Sequence, residues 1–201
     1  MRITRWLIGV AVFPATVAAQ AAKTAPVPSG VTTEAEQIAS AVLPLPKEFR
    51  ADARILGYKA GSKTLVPLRE GSGPFTCLAS EPGASLHLAC YHKSMEPFMA
   101  RGRSLRAEGV AGTQIDTVRF AEVKSGKIKM PTAPAALYQI FDGTFNASSN
   151  AVTGGRSLFV IYVPGATAAS TGLSDKPAPA GMPWIMFPGT PKAHIMLTPG
   201  M

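Results

Sequence analysis

Few side chains in this 201-residue sequence are suited to chemistry, and they fall into three groups. His92, Met95, Glu96 and Met99 are spaced i, i+3, i+4 and i+7, which collects them on one face if the stretch is helical. Imidazole with soft thioethers suits copper, but Met95 and Met99 serve equally well as core residues on a helical stripe. The second group is the terminal phrase "PWIMFPGTPKAHIMLTPGM", which holds Trp184, His194 and Met196. His194 and Met196 alternate onto one face of a strand. An imidazole among apolar neighbours either satisfies a core hydrogen bond or lines a pocket, where burial lowers its pKa toward a neutral, ligand-competent form. The third group is Cys77 and Cys90. An even cysteine count in an exported chain predicts one disulfide, closing a loop of about 14 residues and contributing about 3 kcal/mol.

Other reactive signatures are missing from the sequence. No G-x-S-x-G elbow exists, and "GRSLR" lacks the second glycine. "GSGPFT" and "AGTQ" lack the lysine that ends a phosphate loop. The cysteine spacing fits neither a dithiol redox pair nor a zinc site. No cofactor is expected.

The elements that must position these residues are short. Thr33 with Glu36 forms a capping pattern that starts a helix running to about Leu43, where Pro44 and Pro46 forbid continuation. Strands are expected in "ADARILGYKA", "KTLVPLREG", "GPFTCLAS" and "SLHLACY". "EPGA" suits a type II turn, which fits tight hairpins poorly, so a wider loop is expected there. A loop centred between Gly83 and Ala84 sets Cys77 opposite Cys90. "KSMEPFMARGRSLRAEG" reads as a helix with Pro97 in its first turn, while "TQIDTVRFAEVKSGKI" fits either helix or strand. "AALYQIFDG" and "SLFVIYVPG" read as longer strands flanking a polar surface loop that includes Asn146-Ala-Ser148. A four-residue "PGTP" turn closes the last hairpin, pairing Met186 with Ala193 and Ile185 with His194. Trp184 then lies on the face opposite His194 and Met196.

The resulting fold class is α+β: an antiparallel or mixed sheet of about five to seven strands, with two or three helices packed mainly on one face. The 19 glycines and 18 prolines exceed the roughly 24 of average usage, consistent with many turns and few long helices. Hydrophobic content of 46% and charged content of 16% exclude disorder throughout.

The amino terminus reads as a secretory signal peptide over residues 1–21, with charged "MRITR", apolar "WLIGVAVF" and small-residue "PATVAAQA". A flexible linker, 22–32, and a single globular domain, 33–201, are expected to follow. The eight-residue apolar run is too short to span a bilayer, so no stable membrane insertion is expected after cleavage. Net charge is +8, but the basic residues are scattered and not interleaved with stacking aromatics, so no nucleic-acid partner is expected.

"LREGSGPFTCL", a second cysteine, "LYQIFDG", "LFVIYVPG" and "PWIMFPGTPKAHIML" occur in one order over Leu65 to Leu197. This order resembles a family of exported bacterial proteins of unknown function, marked by the Thr-Cys…Cys pair and a terminal Gly-Thr-Pro-x-Ala-His-Ile/Leu-Met phrase. Phe75 stands where that family carries tryptophan, and Lys192 where it carries an aromatic. The family has no established activity, so no catalytic residue is carried over from it; with the signal peptide, the resemblance fits an exported protein, periplasmic or extracellular. The function expected is that of a non-enzymatic domain binding a small molecule or an envelope protein. A hydrolase-like enzyme using a histidine and a periplasmic copper-binding protein are the alternatives.

Overall fold

The structure, a computed structural model, describes residues 29–177, 179 and 181–198. The expected signal peptide and residues 22–28 of the linker lie outside the described residues. Ser29 and Val31, placed in the linker from sequence, are each 1% exposed, and Val31 packs with Leu86, Leu88 and Phe145. The packed fold therefore begins before Thr33.

Helix α1 (Glu34–Ala41) opens on the expected capping box, with Glu36 N–H donating to Thr33 Oγ1 and Thr33 N–H donating to the Glu36 carboxylate. Thr32 N–H, Thr33 N–H and the Thr32 hydroxyl all donate to that carboxylate and hold its pKa down at about 2. Strands β1 (Arg54–Tyr58), β2 (Leu65–Arg69), β3 (Phe75–Leu78) and β4 (His87–His92) follow. A 3₁₀ turn (Lys93–Met95) leads into α2 (Glu96–Ala107), with Pro97 in the first turn where its missing N–H costs nothing. The ambiguous stretch is helical, forming α3 (Gln114–Lys124). Then come β5 (Ala135–Phe141), β6 (Thr144–Asn146), β7 (Ala151–Thr153), β8 (Arg156–Tyr162), a single-turn α4 (Ala168–Thr171), β9 (Trp184–Met186) and β10 (His194–Leu197).

Eight strands form one mixed sheet in the order β2-β1-β3-β4-β5-β8-β10-β9, and β6 and β7 form a separate hairpin. The sheet is larger than the five to seven strands expected. All its pairings are antiparallel except β1 with β3. That parallel pair arises because the chain goes out to β2 and returns on the other side of β1. The return segment crosses close to the start of β1, and Gly73 N–H donates to Asp52 C=O at 2.8 Å. A Cβ on Gly71 would lie 2.4 Å from the Arg54 nitrogen, so the glycine of "REGSG" is there for close approach.

Both faces of the central strands are apolar, and both are covered. On one face Ile55, Phe75, Cys77 and Cys90 pack against Ala41 and Ile38 of α1. On the other, Ala89, Tyr91, Leu137 and Val160 pack against Phe98 and Met99 of α2 and Phe120 and Val123 of α3. The expectation of helices mainly on one face is corrected accordingly. Strands such as "FTCL" and "LACY" carry apolar residues at consecutive positions, which is what burial on both sides requires. Both sheet edges are blunted: Pro67 removes a donor from β2, and Ile185 N–H of β9 donates to Ser174 C=O at 2.9 Å. Among the described residues, no helix is long and apolar enough to cross a membrane.

Candidate functional site

Cys77 and Cys90 are direct register partners on β3 and β4 and form the expected disulfide. Both are fully buried beneath α1, so the bond staples the core.

The terminal hairpin differs from expectation by one residue. His194 pairs with Met186 and Met196 with Trp184. The connection is the seven residues 187–193, not four, and Phe187 takes a left-handed φ of 54°. A one-residue slip moves a side chain to the other face, so Trp184 shares its face with His194 and Met196. Thr190 organises the turn: its hydroxyl donates to Phe187 C=O at 2.8 Å and accepts from Lys192 N–H at 3.2 Å. Met196 packs into the core on the α2–α3 side.

His194 is 6% exposed, with Tyr162 and Phe187 rings at 5.1 and 5.8 Å. Its Nδ1 lies 2.7 Å from the Lys192 carbonyl, so Nδ1 is the protonated nitrogen and donates. Burial, aided by the Lys192 charge, holds its pKa below the ordinary 6.5, despite the opposing backbone bond. The unfolded chain therefore binds a proton that the folded chain resists, and stability falls as pH drops below about 6.5. The thermal midpoint should decline between pH 7 and pH 5 more steeply in the wild type than in His194→Gln. Parallel calorimetric curves for the two proteins would place that titration elsewhere.

His92, Met95 and Met99 are not gathered on one helical face, because α2 begins only at Glu96. His92 ends β4 on the α1 side, with its ring 5.9 Å from Phe75. Met95 is fully buried and Met99 partly so, on the opposite side. Glu96 pairs with Arg103 at 2.6 Å. His92 Nδ1 lies 2.8 Å from Ser94 Oγ, but it also accepts the Ser94 backbone N–H, and that pairing caps the 3₁₀ turn. Among the described residues, no three His, Cys, Asp or Glu side chains are grouped to hold a metal ion.

The larger cavity lies elsewhere, between the sheet and α2, with a volume of about 900 Å³. Leu78, Ala89 and Leu137 of β3, β4 and β5 form an apolar floor, with His87 and Gln139 beside them. Met99, Arg103 and Arg106 form a wall; their i, i+4, i+7 spacing puts them on one face of α2. Tyr58 and Lys63 close one end, and Tyr162, Arg119 and Lys192 the other. The cleft thus runs from β1 to β8, four strand spacings or roughly 19 Å. Among the described residues, five cations line it (Lys63, Arg103, Arg106, Arg119 and Lys192) and no carboxylate does. A smaller cavity of about 500 Å³ lies beyond Tyr58, between the α1 start and the β1–β2 loop.

Three of the cations, Arg103, Arg119 and Lys192, are held in place by ion pairs and hydrogen bonds. Arg103 donates to Tyr91 Oη at 2.7 Å and to Glu96, and Tyr91 donates to the same carboxylate. Burial pushes the Tyr91 phenol pKa up, so it remains a donor. Arg119 stacks 3.8 Å over the Phe98 ring and pairs with Asp116, which also receives Lys192 Nζ at 2.7 Å. Burial works to raise the Asp116 pKa, but the bonds from Lys192 and Arg119 outweigh it and hold the carboxyl below its usual range. His194 does not line the cleft; its Nδ1–H fixes the Lys192 backbone, which does. Sequence reasoning missed all five cations, although the α2 spacing was available. Comparison with protein-family models, with curated proteins and with solved structures finds no match to this chain.

Proposed function

We propose that the protein is a non-enzymatic binding domain of the exported family it resembles, acting in the periplasm or outside the cell. Its ligand is a small anionic molecule with an apolar body, taken into the cleft between the sheet and α2. The observation carrying this reading is the lining: five cations and no carboxylate above an apolar floor, in a volume suited to one small ligand. Such cations recognise an anion by charge-assisted hydrogen bonds. The buried Cys77–Cys90 disulfide supports export, because such bonds persist in oxidising compartments.

The probe is 8-anilinonaphthalene-1-sulfonate, an anion with an apolar aromatic body, followed by fluorescence and displaced with laurate. Saturable binding to the folded protein is expected. Exchanging the exposed Lys63 and Arg106 for methionine should weaken it by about tenfold or more, the worth of one or two charge-assisted bonds, at an unchanged melting temperature. Absence of saturable binding, or equal affinity in the double variant, would sink the proposal.

A further inference from the structure

The β8 end of the cleft carries polar groups that the fold does not fully use. Tyr162 is 6% exposed and lines the cleft; among the described residues its hydroxyl makes no hydrogen bond, and unlike Arg119 Nε it is not sealed from solvent. Burial pushes its pKa up to about 12, so at neutral pH the phenol is a donor. The Arg119 side chain is 7% exposed; Nη1 donates to Phe98 C=O, Nη2 to Asp116, and Nε is buried without a partner among the described residues. An unpartnered buried donor is costly, and natural folds keep few of them. Arg119 and Lys192 share the single carboxylate of Asp116, which leaves this corner with one unbalanced positive charge.

We propose that Tyr162, Arg119 and Lys192 form the subsite for a carboxylate head group on the ligand, and that Asp116 is a built-in stand-in for it. This rests on the reading of the cleft as an anionic-ligand site. Asp116 already demonstrates the geometry: one oxygen faces the Arg119 guanidinium and the other the Lys192 ammonium. One unbalanced charge matches a monoanionic carboxylate better than a dianionic phosphate. Tyr162 supplies the hydrogen bond that Asp116 does not take. The ligand therefore competes with Asp116 for the two cations, and Asp116 sets the affinity threshold.

The test compares laurate with dodecyl phosphate as competitors of the fluorescent probe, on the full folded chain. Tyr162→Phe deletes one hydroxyl and should weaken laurate binding about tenfold. Asp116→Asn should tighten laurate at least about threefold, and laurate should raise its melting temperature more than that of the wild type. Dodecyl phosphate should bind the wild type more weakly than laurate. If the wild type binds laurate and Tyr162→Phe binds it equally well, the subsite is wrong while the cleft reading stands. Unchanged or weaker laurate binding by folded Asp116→Asn overturns the stand-in role. Tighter binding of the phosphate overturns the carboxylate assignment. If the wild type binds neither probe nor laurate, the cleft reading falls and this proposal falls with it.

Discussion

Replacing Phe98 with alanine should lower the stability of the fold by about 4 kcal/mol, the largest loss expected from a single side chain here. Phe98 is 1% exposed and sits at the junction of α2, α3 and the sheet. Its ring stacks with Phe120 at 6.5 Å and lies beneath the Arg119 guanidinium. Truncation leaves a cavity and removes the apolar surface that covers a buried charge, and neither loss is easily relaxed. The melting temperature should drop by about 10 °C for a domain of this size. Phe98→Leu retains most of the volume and should cost under about 1.5 kcal/mol. A Phe98→Ala protein melting within about 2 °C of the wild type would mean that α2 is not seated on this ring.

The second large effect concerns the disulfide. The double variant Cys77→Ala, Cys90→Ala should lose about 3 kcal/mol, from the conformational freedom returned to the unfolded chain. Alanine is the correct replacement, because serine would add two hydroxyls to a fully buried site. Reductant should lower the melting temperature of the wild type and leave the double variant unmoved. Equal melting temperatures for oxidised and reduced wild type would show that the bond contributes no stability.

Much of the fold was legible because local rules agreed with the global structure. The Thr33–Glu36 box, the proline stop after α1 and the Pro97 start of α2 are backbone chemistry, and they appear where the residues demand them. The opposition of Cys77 and Cys90 followed from the width of one loop. What failed needed non-local information. The hairpin register depended on Phe187 adopting a left-handed φ, which no residue preference announces for phenylalanine. The "TQIDTVRFAEVKSGKI" stretch became helical through packing against α2, with Arg101 of α2 bonding to Glu122 of α3 at 2.8 Å. The β6–β7 hairpin hid in a polar stretch with two apolar anchors, Phe145 and its register partner Val152.

The site was less legible than the fold. His194, expected as a half-buried histidine among apolar neighbours, is buried beside Tyr162 and Phe187; its contact is with a backbone carbonyl, and its effect passes through Lys192. The cleft draws its cations from the β1–β2 loop, α2, α3 and the final turn. Asp116 and Lys192 stand 76 positions apart in the chain. Only the Met99, Arg103, Arg106 stripe had a period that could be read directly.

The blunted edges of the sheet limit how any protein partner can be engaged. Pro67 lies on β2, and the segment at Ser174 covers β9. Recognition by β-augmentation requires a free row of backbone donors and acceptors along an outer strand, and that row is interrupted on both flanks. Any protein partner would therefore have to read side chains rather than add a strand to the sheet margin.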